Sequence, residues 1–450
     1  MNYRILTINY LQSNKLFLLA LFSIHAFYFL VALNYQDIYT LDSDEYTQTA
    51  VNLVKHGEIY NYFWQQEHRP EYYTLRPPLY GLFILVLKLI YDSDLFVILI
   101  QNIMNIFSLI FFIELFRSKG ISEVLKVCSI LALVFFPTQM IMANSIMADQ
   151  ILQFFLILAL ACLMKYLDSR KAYFLVLYNL MLVLAVYTKP VLMYFWIPNL
   201  LFCLYLYVEN RQKLILISSL LLPLSIYVWC ARNETQTGLF HFSSIKTQNI
   251  LDLNAGSVLT LRHGEDQATE IKDSILAKAE TMKVYKDRVA YINSESMQII
   301  QGNLGIYLYA HAKGMLNFML AAGRTDMVDF FPDKPKEEIS LIREFEKDEF
   351  SGLLYYFSQV NLFLIVFMFS IVLWNVLMLV SFLTFSFNSD FSPTIRLFVF
   401  VLIAYICFVC GPGGYARLKM CIMPFMLLNL PYLWREISSK FHVQSCVFER

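Results

Sequence analysis

Long apolar runs separated by short polar connections dominate the hydropathy pattern of the chain. About ten of these runs approach or exceed the roughly 20 residues that a transmembrane helix needs. The predicted spans are residues 16–34, 94–116, 122–142, 149–167, 172–188, 191–208, 213–230, 356–385, 395–411 and 418–434. The pattern therefore predicts an all-α, polytopic membrane protein with about ten transmembrane helices.

One further apolar run, residues 77–91, is only about 15 residues long, which is short for a crossing. We expect it to form a helix lying in the outer interface of the membrane. Short cytoplasmic loops are enriched in Lys and Arg, and a cytoplasmic N-terminus places basic residues in every inside loop. These residues are Arg117, Lys119, Lys126, Lys165, Arg170, Lys171, Arg211, Lys213 and Arg396, with Arg435, Lys440 and Arg450 in the tail. Both termini are therefore predicted to be cytoplasmic.

This topology leaves two large segments on the extracytoplasmic side, residues 35–93 and about 231–355. The second segment is polar, mixed in charge and too long for a simple connection, so it is predicted to fold as a small cap. The chain then divides into three parts. They are an N-terminal transmembrane module (1–230), an extracytoplasmic domain (231–355), and C-terminal spans with a cytoplasmic tail (356–450).

Composition supports the membrane class and narrows the function. Hydrophobic residues make up 58% of the chain and charged residues only 16%, against roughly 25% charged residues in a soluble protein. The formal net charge is zero, which argues against a nucleic-acid-binding protein. Most of the eight cysteines lie inside apolar runs, where a free thiol behaves as a small hydrophobe, so we expect no disulfide framework.

The first outer loop carries three acids directly before an amphipathic pattern. Asp42, Asp44 and Glu45 stand at its start, and apolar residues then recur on one helical face from Tyr46 to Val54. One interpretation makes Asp42 an N-cap whose capping box is completed by Glu45. The other makes these acids part of a reaction site, since three acids in four residues exceed what a cap needs. The Asp-Ser-Asp spacing also fits transferases that hold a nucleotide-sugar through a metal, but this loop is predicted to face away from the cytoplasm.

Two more positions combine charge with the outer membrane surface. Arg76 and Tyr80 belong to an Arg-Pro-Pro-Leu-Tyr sequence that enters the interfacial helix in an extended conformation. At headgroup depth, the Arg76 guanidinium could bind one phosphate through two hydrogen bonds or pair with bulk lipid. Asp149 begins a predicted span at its outer end, where the helix dipole favours a carboxylate. It is either a simple helix-start acid or a member of the site.

Three cations at the outer ends of spans break the positive-inside bias. They are Lys189, Arg232 and Arg417, the last in a Tyr-Ala-Arg sequence with Tyr415. Such cations could bind the phosphate of an anionic lipid ligand. Alternatively, they could anchor the helix by extending their charged ends to the membrane surface. The seven histidines are scattered without close metal-ligand spacing, so the sequence favours no particular metal site.

In order and spacing, these motifs resemble the GT-C glycosyltransferases, in the branch of protein O-mannosyltransferases and bacterial lipid A aminoarabinose transferases. The resemblance covers nearly the whole membrane part, and the spacing to the following tyrosine favours Asp42 over Asp44 as the family acid. The matching residues are Asp42, Tyr46, Ala50 and Leu53; Arg76 to Tyr80; Asp149 after Phe136-Pro137; Lys189-Pro190; Trp229, Arg232 and Asn233; and Tyr415 to Arg417 with Pro424.

The resemblance implies a GT-C-like fold that transfers a sugar from a polyprenyl-phosphate donor to a glycan, lipid or protein acceptor at the outer face. A single displacement predicts inversion at the anomeric carbon. Asp42 would be the base or orient the acceptor hydroxyl, and Asp149 would assist it or hold the sugar. The resemblance implies no nucleotide cofactor and leaves use of a divalent metal open. Together with the compact loops it favours a bacterial plasma membrane, with the endoplasmic reticulum as the alternative. The implied substrate-binding residues are Asp44, Glu45, Tyr46, Arg76, Tyr80, Lys189, Arg232, Tyr415 and Arg417.

Other classes are also compatible with the composition. A transporter or flippase for polyprenyl-linked glycans usually places ionisable residues inside its spans, whereas these candidates gather at one face. A non-catalytic scaffold that presents residues 231–355 would leave the outward cations unexplained. A glycan polymerase or ligase of another architecture is a neighbouring enzyme class, and an acid–tyrosine helix directly after the first span distinguishes the two.

Overall fold

The computed structural model describes residues 13–331 and 362–436, with isolated positions between 348 and 358 and at 438–439. Every regular element in this part of the chain is helical, which confirms the predicted all-α class. Several features of the sequence lie outside the described residues. They are Pro332 and Pro335 in the predicted cap, most of residues 356–361 at the start of a predicted span, and residues 440–450 of the tail.

A π-helical turn, Ile250–Ala255, lies between α12 and α13. In chain order they are α1 Lys15–Tyr35, α2 Ser43–His56, α3 Pro78–Ile90, α4 Asp94–Leu115, α5 Ser122–Phe135, α6 Thr138–Ala143, α7 Asp149–Ser169, α8 Tyr173–Thr188, α9 Trp196–Asn210, α10 Lys213–Ser219, α11 Leu221–Thr237, α12 Ile245–Asn249, α13 Gly256–His263, α14 Glu265–Glu280, α15 Tyr285–Gly302, α16 Leu304–Leu320, α17 Arg324–Phe330, α18 Leu362–Phe385, α19 Pro393–Cys410, α20 Ala416–Lys419 and α21 Met423–Met426.

Six helical segments of the described chain are long and apolar enough to cross a membrane. They are α1, α4, α7, the consecutive pair α10 and α11, the greater part of α18, and α19 with the turn that follows it. Each coincides with a predicted span. Helices α8 and α9 also coincide with predicted spans, but they have only 16 and 15 residues.

The predicted spans 122–142 and 418–434 are among those that do not form one continuous helix. Residues 122–142 form α5 and α6, which are separated because Pro137 has no amide N–H and holds Phe136 in a non-helical conformation. Residues 418–434 form short helices and turns that are almost entirely buried up to residue 430. Non-helical backbone at membrane depth is tolerated where protein surrounds it, and both segments are surrounded in this way.

The first outer loop contains the two helices that the sequence predicts. On α2, Tyr46 and Ala50 are buried whereas Val54 is 63% exposed, so only the first half of the predicted apolar face is covered. Helix α3 has 13 residues, about 20 Å at 1.5 Å per residue, which is too short to cross the hydrocarbon core. The two helices pack closely, since a Cβ at Gly81 would lie 2.6 Å from Cγ2 of Thr49.

Helices α12–α17 belong to the segment predicted to form a cap, and α16 connects them to the rest of the bundle. Helix α16 packs against α19 and against the loop after it. A Cβ at Gly314 would overlap the carbonyl oxygen of Gly411, and a Cβ at Gly414 would overlap that of Gly314. Asn317 also donates a 2.7 Å hydrogen bond to the Gly414 carbonyl. The segment 411–417 is therefore held against α16 by direct backbone contact.

Candidate functional site

Asp42 occupies the N-cap position of α2, but its carboxylate does not cap the helix. Instead, Oδ1 accepts a 2.9 Å hydrogen bond from Nη2 of Arg76, and Oδ2 accepts a 2.6 Å hydrogen bond from Nη2 of Arg417. Glu45 also pairs with Arg76. The capping-box interpretation is therefore wrong, because both acids bind guanidinium groups brought from elsewhere in the chain.

Arg76 lies in the protein interior and is only 7% exposed. Its backbone N–H donates a 3.0 Å hydrogen bond to Oδ1 of Asn61, which fixes the extended segment that leads into α3. Its guanidinium binds Asp42 and Glu45 and lies over the ring of Tyr46, 5.6 Å from the centroid. Burial of this kind rules out the alternative in which Arg76 pairs with bulk lipid.

A second group of charges joins this one through Arg417. Asp149, the first residue of α7, accepts a 2.6 Å hydrogen bond from Nζ of Lys189 at the end of α8. Nε of Arg417 lies 3.5 Å from the other oxygen of Asp149. All three side chains are at most 10% exposed. Arg417 thus bridges the two acids that the sequence analysis singled out, and Asp149 is more than a helix-start acid.

The resulting charge network consists of three acids and three cations from five segments of the chain. Its members are Asp42, Glu45, Arg76, Asp149, Lys189 and Arg417. These residues lie at the starts of α2 and α7, just before α3, just after α8 and in α20, so these helix ends share one end of the bundle. Opposite charges balance within the network, which is how a partly desolvated set of ions is stabilised.

Two tyrosines border the charge network. The rings of Tyr46 and Tyr80 meet edge to face with centroids 4.8 Å apart, and the hydroxyl of Tyr80 donates a 2.5 Å hydrogen bond to Oε1 of Gln101. The hydroxyl of Tyr46 is buried and has no hydrogen-bond partner in the described part of the protein. It is a polar group that a bound ligand could engage.

The electrostatics of Asp42 follow from its two arginine partners. Burial on its own would raise the pKa of Asp42, but the charges of Arg76 and Arg417 outweigh burial and lower the pKa to about 2. Asp42 is therefore held as a carboxylate at neutral pH. A carboxylate with so low a pKa is a weak base. Asp42 is therefore better suited to binding and orienting a ligand than to abstracting a proton.

Three residues predicted for the site lie outside the charge network. Asp44 is exposed on α2 and forms no ion pair in the described structure, which leaves Asp42 rather than Asp44 as the aspartate that the first outer loop supplies to the network. Arg232 donates a 2.7 Å hydrogen bond to the carbonyl of Tyr73, and its guanidinium lies over the ring of Trp229. It therefore ties the end of α11 to the first outer loop. Tyr415, two residues before Arg417, is 40% exposed.

The structure also brings in residues that the sequence analysis did not select. Oδ2 of Asp326, on α17, accepts a 3.0 Å hydrogen bond from the hydroxyl of Thr138 on α6. The buried Lys419 donates to the carbonyl of Met319 and to Oδ1 of Asn375, so it joins α20 to α16 and α18. Neither residue belongs to a motif, and no spacing in the sequence points to either of them.

Among the described residues, no three His, Cys, Asp or Glu side chains are grouped as ligands for a metal ion. The chain matches no model of a known protein family, and no curated protein is significantly similar to it. Over the residues that the structure describes, the helical fold and six long apolar helices define an all-helical, multi-pass membrane protein.

Proposed function

We propose that the protein is a GT-C-type glycosyltransferase that moves a sugar from a polyprenyl-phosphate donor to a glycan, lipid or protein acceptor. The observation that carries this proposal is the charge network, in which two guanidinium groups and an ammonium group lie beside carboxylates at one end of the bundle. Residues from five segments of the chain form this network. A helix cap or a lipid anchor would need a residue from only one segment. This arrangement suits a ligand that carries both a phosphate and hydroxyl groups.

We place this end of the bundle at the extracytoplasmic face, in a bacterial plasma membrane, with both termini cytoplasmic. The support is the distribution of basic residues, because the opposite ends of the long helices carry Arg117, Lys165, Arg211 and Arg396. The cations of the charge network lie at the other end, and each has a carboxylate partner in the protein. These cations are therefore interpreted as part of a ligand site and not as basic residues that set the orientation of the helices in the membrane.

The cations would bind the phosphate of the lipid-linked donor. Arg76 and Arg417 present several N–H donors in a fixed plane, which matches phosphate geometry, and Lys189 adds a compact charge. A phosphate that enters the network would share these donors with Asp42 and Asp149. When the sugar leaves, negative charge grows on the phosphate, and preorganised cations at that point lower the barrier.

The acids would position the sugar and the acceptor. Asp42, held ionised between two arginines, would orient the acceptor hydroxyl, and Asp149 would hold the sugar through one oxygen. The acceptor oxygen then attacks the anomeric carbon as the bond to the phosphate breaks. A single displacement of this kind inverts the anomeric configuration.

A transporter of the same lipid-linked glycan is the principal alternative. Transporters commonly place ionisable groups near the bilayer midplane on broken helices, whereas Asp149 is the first residue of α7 and Lys189 directly follows α8. This placement at helix ends favours the transferase. The two functions also differ chemically, because a transporter would leave the bond between sugar and phosphate intact.

The test compares Asp42→Asn with Asp44→Asn, two identical changes two residues apart on the same helix. Each variant is expressed at matched membrane levels in a strain lacking the gene, and the masses of surface glycans and glycolipids are compared with those from the wild type. We expect Asp42→Asn to give the profile of the deletion and Asp44→Asn that of the wild type. A normal profile for Asp42→Asn, where deletion has a clear effect, would overturn the assigned role of the network.

A further inference from the structure

A fourth acid approaches the charge network from the segment that was predicted to form a cap. Asp326 lies in the first turn of α17, directly after the three-residue link from α16. Its carboxylate accepts a hydrogen bond from Thr138 rather than from its own helix. In the described part of the chain it belongs to no ion pair, and its side chain is half-buried.

Close packing fixes the position of Asp326 relative to Arg417. A Cβ at Gly323 would overlap the hydroxyl of Thr138, and would lie 3.3 Å from Cβ of Ala416 and 3.4 Å from Oδ2 of Asp326. The positive φ of Gly323, 74°, makes this approach possible without strain. Since Ala416 immediately precedes Arg417, the carboxylate of Asp326 sits beside the segment that carries the bridging arginine.

The other acids are poorly suited to accept a proton. Both oxygens of Asp42 already accept charge-assisted hydrogen bonds from arginines. Asp149 is ion-paired to Lys189 and Arg417 and is 2% exposed, and Glu45 is paired to Arg76. Pairing with cations makes a carboxylate a weaker base, as it does for Asp42. Burial instead raises the pKa of Glu45, but the carboxylate of Glu45 is held by the guanidinium of Arg76, which is assigned to the donor phosphate. Asp326, with one neutral hydroxyl as its partner, keeps lone pairs that can receive a proton.

Resting on the proposed function, we infer that Asp326 is the general base of the reaction and accepts the proton of the acceptor hydroxyl. The acceptor oxygen forms its bond to the anomeric carbon while the bond from that carbon to the phosphate oxygen breaks. The phosphate leaves with the bonding electron pair, the hydroxyl proton passes to Asp326, and water then removes it. The acceptor approaches from the side of α17.

The surroundings of Asp326 are consistent with this role. Burial raises the pKa of Asp326 above the ordinary range of an aspartate, and the hydrogen bond from Thr138 and the charge of Arg417 only partly oppose it. The other charged groups that face it are Asp149 on α7 and Asp329 on its own helix, and both also raise the pKa. A raised pKa makes a carboxylate a stronger base.

The test uses three single variants, each scored by the rate at which the surface product missing from the deletion strain accumulates after induction. Asp326→Asn keeps an oxygen that can accept from Thr138 but cannot take a proton, and we expect a loss of about 100-fold or more. Asp329→Asn, the same change at an exposed position of α17 whose charge has only a small effect on Asp326, should stay within about twofold. Thr138→Val removes only the hydrogen bond, and its loss should be less than about tenfold.

The dependence of the rate on external pH separates a base from a structural residue. In the wild type the rate should fall on the acidic side as Asp326 becomes protonated, and the residual rate of Asp326→Asn should lack that fall. If Thr138→Val is as damaging as Asp326→Asn, or if Asp326→Asn has the wild-type rate, Asp326 is not the base. If the wild-type gene restores no surface product at all, the proposed transferase itself fails, which is a different outcome.

Discussion

Lys189 donates a 2.6 Å hydrogen bond to Asp149, and the two side chains are only 10% and 2% exposed. Removing Asp149 leaves Lys189 as a buried ammonium group without its partner, and removing Lys189 leaves Asp149 with only the longer 3.5 Å contact to Arg417. We therefore expect Asp149→Asn or Lys189→Met alone to lower the free energy of unfolding by about 3–5 kcal/mol. The double variant should lose less than the sum of the two, as thermal unfolding in detergent would record.

The exposed pair Arg69 and Glu280 is a matched control for this cycle. Their nitrogen and oxygen atoms are 2.7 Å apart, but the side chains are 45% and 52% exposed. Exposed ion pairs contribute about 1 kcal/mol or less because water and salt screen them. Equal coupling energies for the two pairs would mean that the pair in the charge network is not desolvated.

Arg417 should not be replaceable by lysine. Its Nη2 and Nε reach toward Asp42 and Asp149 on separate helices, and a single ammonium group cannot span both carboxylates. We expect Arg417→Lys to lower the rate of surface-product formation by about 100-fold, in the range that loss of one preorganised donor produces.

Arg232→Lys offers a comparison at the same end of the bundle. Arg232 binds a backbone carbonyl and lies over Trp229, contacts that an ammonium group can largely keep, so this variant should stay within about threefold of the wild-type rate. If both lysine variants retained activity, the bridging role of Arg417 would be wrong.

The stability of the fold should depend on pH through Asp42. Its pKa falls from an ordinary 3.8 to about 2 in the folded protein, so folding favours the ionised form. The contribution, about 2 kcal/mol, is fully present above about pH 4 and is lost as the pH falls toward about 2. As the pH is lowered across this interval, the difference in the free energy of unfolding between the wild type and Asp42→Asn should shrink. The exposed-site variant Asp44→Asn should have the free energy of unfolding of the wild type at each pH.

The stereochemistry of transfer gives a test independent of any mutation. A single displacement at the anomeric carbon requires the product to have the configuration opposite to that of the donor. The coupling constant of the anomeric proton in the purified product, compared with that of the donor, measures this. Net retention would require two displacements with a covalent intermediate, and the one-step mechanism would then fail.

Hydropathy located most of the architecture because long apolar helices are specified locally. The spans predicted at 16–34, 94–116 and 149–167 coincide with helices of 21, 22 and 21 residues. The prediction of a continuous helix over 122–142 was wrong at Pro137. Proline has no amide N–H to donate, so the helix is interrupted there although the apolar pattern continues. The prediction of a continuous helix over 418–434 was wrong for another reason. These residues form short helices and turns, and their side chains are apolar because neighbouring helices bury them.

The candidate site was only partly predictable. Its cations stand out because basic residues are unusual at the predicted outer ends of spans, and its acids lie at the same end, so Asp42, Arg76, Asp149, Lys189 and Arg417 were all selected. Their pairing depends on tertiary contacts between residues up to 375 positions apart, and a local pattern cannot give it. The same limit explains the missed Asp326, whose only local signal is that of an ordinary acid in the first turn of a short helix.

The contact between Gly314 and Gly414 links distant parts of the molecule mechanically. Backbone atoms meet there without side chains between them, so no rotamer change can absorb a relative displacement. Helix α16 leads into Asp326, and the loop after α19 leads into Arg417. A displacement of α16 relative to the loop after α19 would therefore move Asp326 and Arg417 together. The backbone contact thus holds the two residues as parts of one rigid unit.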